Sequence, residues 1–491
     1  MGYIGGVERG QGMMFPATLD EYVRGENPVR VIGAFVENLP IREMGFVRGE
    51  PAETGRPGYD PRMMLAVYIW GHLNGVRSSR RLERECGRNV ELMWLSGLLQ
   101  PDFKTLSRFR KDNSEGINNA LVKFRVWCEE AGLFGKDLVA IDGSKFKAVN
   151  SKSRALTQEQ LTKLIEREKA EVDKYLAELE EADNADEGEE RKLTAEEIKE
   201  KIRGLEEHLK KHEEAREGLA ESGENRVSLT DPESRMMKTS KGSDVSYNIQ
   251  TSVDSKHDLI LDVEVTNDVS DQGLLAKMAM RAKEILGVGE LKVTADGGYF
   301  DGDEIKACEE EDIETYVSIP ESKAAESKGI FPLTQFEYNK EKDVYACPAG
   351  AQMKRTGKPV KNGRANSKEY YRYTTKACSG CPLRAQCTTS KYGRTVKRWV
   401  HQEVVDRLRE RMAEKPEIIK KRKAIVEHPF GTIKVGMGHE RLLMKGIKGV
   451  GTEIRLTVLT YNIKRVMSIF GIPAMIEKLN GQNRLTQNAY A

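Results

Sequence analysis

The sequence predicts a mixed α/β fold that is preceded by an all-α domain and interrupted by two insertions. Three patterns lead to this prediction. Apolar residues recur at helical spacing over residues 61–132. Strand-like runs alternate with helical segments over residues 245–319, and an earlier strand-like run lies at 137–147. Two long segments rich in charge separate these runs from one another and from the C-terminal part.

Short helices are predicted after the first 60 residues, which are rich in Gly and Pro. Pro61 suits a first helical turn. Ser79, Asn89 and Thr105 suit helix starts. Short helices joined by small turns are typical of helix-turn-helix units.

Arginines crowd two of these predicted helices. A helix that presents Arg side chains can bind phosphates and enter the major groove of DNA. The alternative is a plain helical bundle with a solvated basic face. We predict a helix-turn-helix-like DNA-binding domain at residues 1–135, with contacts from Arg77, Arg80, Arg81, Arg84, Arg108 and Arg110.

The formal net charge of +2 conceals a strong segregation of charge along the chain. Residues 155–224 contain 12 Lys and Arg against 23 Asp and Glu, whereas residues 351–423 contain 21 against 6. Basic blocks of this size favour a polyanionic partner such as nucleic acid, with a merely soluble surface as the alternative.

The first insertion, residues 151–225, is predicted to be an antiparallel helical hairpin. From Thr157 to about Leu219 the composition is dominated by Glu, Lys, Leu and Ala. Its apolar residues follow a three-four spacing on both sides of an acidic break at 182–190. The charges are typical of a solvated face, so we expect no chemistry there.

The α/β core is predicted to comprise residues 136–150 and 226–320, with C-terminal helices at 401–470 and a tail at 471–491. The order of elements indicates a mixed sheet that begins with an antiparallel meander. The predicted strands lie at 137–147, 245–253, 259–266, 291–295 and 315–319, and the predicted helices at 272–286 and 303–310.

Two aspartates follow strand-like runs in this core. Asp142 follows residues 138–141 and Asp296 follows residues 291–295, and a glycine comes directly after each. Asp-Gly is also an ordinary turn signal, which is the alternative for each aspartate alone. Ligand sites in open α/β sheets lie beyond the strand ends. Two carboxylates on rigid strands can therefore share a divalent metal such as magnesium.

Glu427 is the third acidic candidate, because it follows the apolar residues Ile425 and Val426, where a surface carboxylate is less expected. Lys434 lies seven residues further on, close to two helical turns. It shares a face with Glu427 if the helix continues, although Pro429 is expected to kink that helix or to start a new one. A lysine there is suited to hold a DNA phosphate; a salt bridge or a solvated lysine is the alternative.

The second insertion, residues 321–400, is basic and contains four cysteines with the spacing Cys-x30-Cys-x2-Cys-x5-Cys. This spacing fits a tetrahedral zinc site. Four reduced, unliganded cysteines are the alternative. The candidate ligands are Cys347, Cys378, Cys381 and Cys387.

Cysteine usage and the N-terminus indicate the compartment. The remaining cysteines, Cys86, Cys128 and Cys308, are isolated, which argues against a disulfide framework. The first residues lack the basic and apolar pattern of a signal peptide, and no run of 18 apolar residues occurs. We therefore predict a cytoplasmic protein without a membrane partner.

The three acidic segments resemble the acidic motifs of bacterial insertion-sequence transposases of the Asp-Asp-Glu (DDE) class. The spacing from Glu427 to Lys434 matches the end of that group's Tyr-Arg-Glu-Lys signature, although Lys420 and Lys423 stand where the signature has Tyr and Arg. The resemblance covers most of residues 30–465. It extends to the family's N-terminal DNA-binding region at residues 59–65, 77–83 and 105–110, and to its last motif at 426–434.

The resemblance implies a ribonuclease-H-like core in which the first and fourth strands are neighbours. It implies two Mg²⁺ ions, with Mn²⁺ as a substitute, held by Asp142, Asp296 and Glu427, and a catalytic role for Lys434. The implied activity is binding of terminal inverted repeats in double-stranded DNA, cleavage at the element ends and joining of the 3′-hydroxyls to target DNA. Two-ended chemistry of this kind implies a homodimer or higher oligomer on DNA, with the second insertion placed to grip DNA.

Two other interpretations stay open at this stage. A catalytically inactive or domesticated DNA-binding protein derived from a transposase is the first, although the presence of all three acidic residues favours an enzyme. The second is a ribonuclease-H-fold nuclease that cuts DNA but does not join it.

Overall fold

The computed structural model describes residues 18–50, 58–150, 154–184, 194–239, 242–320, 327, 329–361 and 368–489. The helices are α1 (Leu19–Tyr22), α2 (Pro28–Glu37), α3 (Pro61–Leu73), α4 (Ser79–Cys86), α5 (Val90–Ser96), α6 (Phe103–Asp112), α7 (Ser114–Glu130), α8 (Gln158–Asn184), α9 (Ala195–Ser222), α10 (Leu275–Leu286), α11 (Gly302–Glu310), α12 (Gln402–Glu414), α13 (Pro416–Gly431), α14 (Gly446–Phe470) and α15 (Ile472–Ala489). The strands are β1 (Leu138–Lys147), β2 (Ala155–Leu156), β3 (Val227–Ser228), β4 (Arg235–Thr239), β5 (Gly242–Asp254), β6 (Ile260–Thr266), β7 (Leu291–Ala295), β8 (Ile313–Val317), β9 (Glu337–Asn339), β10 (Val344–Ala346), β11 (Gln352–Lys361), β12 (Glu369–Thr374) and β13 (Val396–Trp399). In this described part, no helix is both long and apolar enough to cross a membrane.

Polar side chains set the starts of several N-terminal helices. Asn27, Asp60, Asn89 and Asp102 each precede a helix and accept a hydrogen bond from a backbone N–H of its first turn. The helices predicted for this region are present. The helix expected to start at Thr105 begins earlier, because Asp102 accepts a hydrogen bond from the Thr105 N–H at 2.8 Å.

Helices α8 and α9 form the antiparallel hairpin predicted for the first insertion. Glu168 Oε2 lies 2.8 Å from His212 Nδ1, and Lys201 lies over the ring of Tyr175. The later residue of α8 therefore contacts the earlier residue of α9, which shows that the two helices run antiparallel. Of the predicted acidic break at 182–190, residues 185–190 lie outside the described residues. A small apolar core in this part of the chain contains Leu161, Leu219 and Val227.

The chain divides into two compact units. The first contains Met1–Gly135, Asp142–Ser270 and Ile425–Ala491, and the second contains Lys136–Ile141 and Asp271–Ala424. Strand β1 therefore begins in the second unit and ends in the first.

Helix α14 of the first unit has buried residues along most of its length, and it contacts α3, α7 and β6. The Asn462 carboxamide on α14 accepts a hydrogen bond from the Ile260 N–H at 3.0 Å and donates one to the Ile260 carbonyl at 2.9 Å. These bonds satisfy the backbone where β6 begins. Strand β5 pairs antiparallel with β4 and with β6, as the predicted meander requires.

In the second unit, residues 138–140 of β1 and the strands β7 and β8 form a parallel sheet segment. Residues 138–140 of β1 pair in parallel with β7, and β7 pairs in parallel with β8. The pairing of β1 with β7 is the neighbour relation between the first and fourth core strands that the resemblance implies. Val139 and Val293 are fully buried in this sheet. Burial on both faces of this parallel pairing explains the continuous apolar run at residues 138–141 of β1, whereas β7 interleaves Lys292 and Thr294 with its apolar residues.

A second sheet of the second unit, in the order β13-β12-β11-β10-β9, occupies much of the cysteine-bearing insertion. All of its pairings are antiparallel. The sequence pattern does not predict these strands, because basic residues dominate their exposed positions. Their shared core contains Phe336, Tyr345, Met353, Tyr373 and Val396.

Two predicted elements are corrected by the structure. Strand β8 spans Ile313–Val317 rather than 315–319. The predicted tail at 471–491 contains helix α15, which packs against α2 and accepts a hydrogen bond from Asn38 Nδ2 at the Leu479 carbonyl. Apolar side chains on α15, such as Met475, are buried, so this segment belongs to the fold.

Two buried histidines meet in the first unit. The rings of His72 and His439 are 4.9 Å apart, and each Nδ1 lies within hydrogen-bonding distance of Thr457 Oγ1, at 3.2 and 3.0 Å. Burial lowers the pKa of His439 to about 3, with a further contribution from the positive charge of Arg77. Burial also lowers the pKa of His72 well below its usual value of 6.5, helped by His439 and nearby arginines.

Stability is therefore expected to fall as the pH drops from about 6.5 towards 3. Both rings are neutral in the folded chain over this window, whereas the unfolded chain takes up their protons, so the unfolded state binds more protons. Each ring contributes a slope of up to about 1.4 kcal/mol per pH unit. Replacement His439→Gln should reduce the slope of the free energy of unfolding between about pH 6 and 4. Urea unfolding at a series of pH values measures this slope, with replacement of the half-exposed His401 (His401→Gln) as control. An unchanged slope contradicts the assignment.

Candidate functional site

Asp142 lies within strand β1, and Asp296 directly follows the neighbouring parallel strand β7. In the second unit Ala140 of β1 is the register partner of Thr294 of β7. Each aspartate comes two residues after its member of this pair. Asp142 lies within β1 rather than at its end, at the point where buried residues give way to partly exposed ones.

The backbone around Asp296 holds its carboxylate in a defined place. Asp296 precedes a short 3₁₀ turn, and its Oδ1 accepts a hydrogen bond from the Gly298 N–H at 2.8 Å. A Cβ at Gly298 would lie 3.0 Å from Asp296 Oδ1 and 3.8 Å from Asp271 Oδ2. Asp271 is thus a further carboxylate beside Asp296 in the second unit. Sequence reasoning missed it, because it follows no apolar run.

Glu427 lies on α13, which continues through Pro429 to Gly431 and then widens into a π-helical turn at Thr432–Gly436. The expectation that Pro429 starts a new helix is therefore wrong. Ile425 and Val426 are buried, whereas Glu427 is exposed. The helical segment is continuous from Glu427 to Lys434. Because the π turn is wider than an α-helical turn, the two residues are not separated by two regular α-helical turns.

Lys434 contacts the strand that carries Asp142. Its Nζ donates hydrogen bonds to Ser144 Oγ at 2.6 Å and to the Lys145 carbonyl at 2.9 Å. The same Nζ lies 4.5 Å from the centre of the Phe146 ring. Side chains alternate along a strand, so Asp142, Ser144 and Phe146 share one face of β1. Lys434 therefore lies on the Asp142 face of β1 in the first unit.

The four cysteines of the insertion come together within the second unit. They line one cavity of about 230 Å³. Burial raises the pKa of the Cys387 thiol, and the neighbouring Cys378, Cys347 and Cys381 raise it further, while Arg394 opposes them. The isolated Cys308 does not line this cavity.

Tight turns present these cysteines. The Cys347 carbonyl accepts a hydrogen bond from the Gly350 N–H at 2.8 Å, which closes the turn at residues 347–350. Gly393 has a φ of +90°, and a Cβ there would lie 2.8 Å from the Cys378 Cβ, so only glycine fits beside this cysteine. The Arg394 guanidinium donates to the Cys387 carbonyl at 3.1 Å.

The six predicted DNA-contact arginines separate into two groups. The Arg77 side chain is only 10% exposed and pairs with Glu453, and Arg110 is buried against Tyr68. The prediction that these two arginines bind DNA is therefore withdrawn. Their sequence neighbours do not distinguish them, because the partner Glu453 lies 376 residues away. The remaining four are exposed on α4 and α6: Arg80, Arg81, Arg84 and Arg108.

One face of the second sheet in the second unit is basic. Arg372 on β12 is the register partner of Thr356 on β11 and of Lys397 on β13. Register partners lie on the same face of a sheet. Arg372, Lys397 and Lys354 are exposed, so this face presents cations in adjacent strands.

Two protein-family models match the chain, one in its N-terminal part and one in its C-terminal part. A model described as a transposase domain (DUF772) matches residues 17–112, and one described as a transposase DDE domain matches residues 346–467. Together these two matches support an insertion-sequence transposase of the DDE class. The comparisons with curated proteins and with solved structures gave no match.

The matched segments divide the candidate residues of this transposase. The first contains the arginines of α4 and α6, and the second contains Glu427, Lys434 and the four cysteines. Asp142 and Asp296 lie outside both matched segments. The match to a transposase DDE domain indicates an enzyme that cleaves and transfers DNA strands with divalent metal ions.

The acidic residues have the chemistry that divalent magnesium requires. Carboxylate oxygens are its preferred protein ligands. Asp142 and Asp296 supply such oxygens from positions two residues after the register pair of Ala140 and Thr294. Glu427 supplies a carboxylate from an exposed helical position. Among the residues that the structure describes, no three His, Cys, Asp or Glu side chains stand close enough to hold a metal ion as they are placed.

Proposed function

We propose that this transposase binds the terminal inverted repeats of an insertion sequence, cleaves the strands at its ends and joins the 3′-hydroxyl ends to target DNA. The contact of Lys434 with the Asp142 face of β1 carries the proposal. It brings two separate motifs of the chain, 290 residues apart, to one strand.

Asp142, Asp296 and Glu427 are the proposed ligands of two Mg²⁺ ions, for which Mn²⁺ can substitute. Bound there, the ions would activate the attacking oxygen and stabilise the leaving oxygen of a phosphodiester. Asp142 and Asp296 bind from strands whose buried residues fix their backbone. Glu427 binds from the exposed side of α13. The Lys434 ammonium, held by Ser144, neutralises and orients a non-bridging oxygen of the DNA phosphate.

The DNA is held in this proposal by two basic surfaces. Four exposed arginines on α4 and α6 contact the element end, and the cations of β11, β12 and β13 contact the phosphate backbone. The N-terminal part, residues 1–135, acts as the helix-turn-helix-like DNA-binding domain. Reaction at two ends requires two active sites, so the working form is a homodimer or higher oligomer on DNA.

The cysteines form a structural zinc site in this proposal. Cys347, Cys378, Cys381 and Cys387 line one cavity. Side-chain rotation towards a common point would give the four thiolates that a closed zinc site needs, at about 2.3 Å from the metal. Zinc bound there would join two turns that border the core of the β9–β13 sheet, because Cys347 and Cys387 pack against that core.

The experiment that tests the function uses DNA that carries the inverted repeats flanking the coding region. The purified transposase is incubated with this duplex, target plasmid and Mg²⁺, and the products are mapped at nucleotide resolution. Nicks that leave a 3′-hydroxyl at the element ends, followed by joined products, support the proposal. Cleavage without joined products identifies a nuclease, and binding without cleavage identifies an inactive derivative; either result overturns the proposal.

A further inference from the structure

The residues that follow Lys434 return to the strand that carries Asp142. The Lys147 N–H at the end of β1 donates to the Glu440 carbonyl at 3.3 Å, and the Leu442 N–H donates to the Lys147 carbonyl at 2.8 Å. Arg441 forms a parallel bridge with Lys147. The segment from Met437 to Lys445, called here the 437–445 segment, therefore links the Lys434 turn to β1.

A buried carboxylate holds one end of the 437–445 segment. Glu453 lies on α14 and is completely buried. Its Oε2 accepts hydrogen bonds from the Leu443 N–H at 2.8 Å and from the Met444 N–H at 2.9 Å. Backbone amides bonded to a charged acceptor form stronger hydrogen bonds than neutral pairs do.

A buried guanidinium holds the other end. Arg77 Nη1 lies 2.9 Å from Glu453 Oε1, and Arg77 Nη2 donates to the Gly438 carbonyl at 3.1 Å. Burial lowers the pKa of Arg77, and the negative charge of Glu453 opposes that shift. One ion pair therefore fixes both ends of the 437–445 segment.

The geometry of this ion pair points to positioning residues for the proposed reaction: we propose that Arg77 and Glu453 hold Lys434 in place against β1 through the 437–445 segment. This inference rests on the proposed function. Buried ion pairs stabilise a fold only weakly compared with apolar replacements, so a role in fixing one conformation accounts better for this one. Gly438 has a φ of +69°, a conformation that glycine adopts without steric cost.

Replacement Arg77→Lys tests the inference, because lysine cannot reach both Glu453 and the Gly438 carbonyl with one ammonium group. The single-turnover rate of end cleavage at saturating DNA should fall at least about tenfold, with affinity for end DNA within about twofold of wild type. In a Lys434→Met background, the same replacement should lower the rate by less than about twofold, because Arg77 acts on cleavage through Lys434, which is then absent. Equal effects in both backgrounds overturn the inference.

Arg465→Lys is the matched control. Arg465 lies on α14 like Glu453, pairs with Asp258 at 3.0 Å and donates to the His257 carbonyl at 2.8 Å. It has the same type of contacts but does not touch the 437–445 segment. Its replacement should leave the cleavage rate near the wild-type value; an equal loss of rate shows a general effect of weakened ion pairs and overturns the inference.

Hydrogen exchange gives a readout that does not depend on activity. The amides of Leu442, Leu443 and Met444 should exchange at least about tenfold faster in Arg77→Lys, while β6 amides are unchanged. If Arg77→Lys does not fold, Glu453→Gln replaces it in both measurements, since it keeps the side-chain shape and removes the charge. Unchanged exchange overturns the inference. Absence of cleavage by the wild-type protein refutes the proposed function instead, so the two failures are distinguishable.

Discussion

Each of the replacements Asp142→Asn, Asp296→Asn and Glu427→Gln is expected to abolish strand cleavage and to leave binding to end DNA intact. An amide keeps the shape of the carboxylate but removes the charge that a divalent ion requires. The chemical step should slow by at least about a thousandfold, because charge at the reacting phosphate is then no longer neutralised. Cleavage is measured on labelled end DNA under single-turnover conditions, and binding is measured by gel shift in Ca²⁺.

Matched carboxylates on the same elements are the controls for this prediction. Asp137 precedes β1 at the end opposite to Asp142, is largely exposed and pairs with Lys292. Glu417 lies on α13 two to three turns before Glu427 and is exposed. Asp137→Asn and Glu417→Gln should both retain cleavage. Full activity in any of the three site variants removes that residue from the metal site.

Local sequence patterns identified the strands around the proposed site because burial there is continuous. Val139 stands in the continuous apolar run 138–141, and Val293 stands in a strand whose apolar residues alternate with Lys292 and Thr294; both patterns are recognisable without a partner. The strands of the second insertion were missed for the opposite reason. Arg372 and Lys397 occupy exposed positions of β12 and β13. Their neighbours along each strand pair with each other across the sheet, Tyr371 with Arg398 and Tyr373 with Val396, so neither strand is an apolar run.

Long-range partners were outside the reach of sequence reasoning. Arg77 and Arg80 look alike in the sequence, yet Arg77 pairs with Glu453 inside the first unit and Arg80 is exposed over the ring of Phe103. Arg77 precedes α4 and Arg80 lies in its first turn, and only the fold decides which of these neighbouring cations faces inward. The sequence places Lys434 seven residues after Glu427, but the contact of Lys434 with Ser144 becomes visible only in the structure.

Replacement Cys381→Ser is expected to remove zinc from the transposase and to destabilise the β9–β13 sheet. A structural zinc ion contributes its binding free energy to folding, about 10 kcal/mol or more in small zinc domains. The aromatic core of this sheet is small, with Tyr345, Met353 and Tyr373 at its centre, so it depends on the metal more than a large core would. Metal analysis of protein purified without added zinc should give one zinc per wild-type chain and much less in the variant.

Cys308→Ser is the control for zinc loss. Burial raises the pKa of Cys308 to about 12, so at neutral pH it is a thiol and not the thiolate that binds zinc. This variant should keep its zinc, and limited proteolysis should cut within residues 330–400 only in Cys381→Ser. Clearly substoichiometric zinc in the wild type contradicts the site and favours four reduced cysteines. Full zinc in Cys381→Ser would mean that the metal is bound elsewhere, because a closed site requires all four ligands.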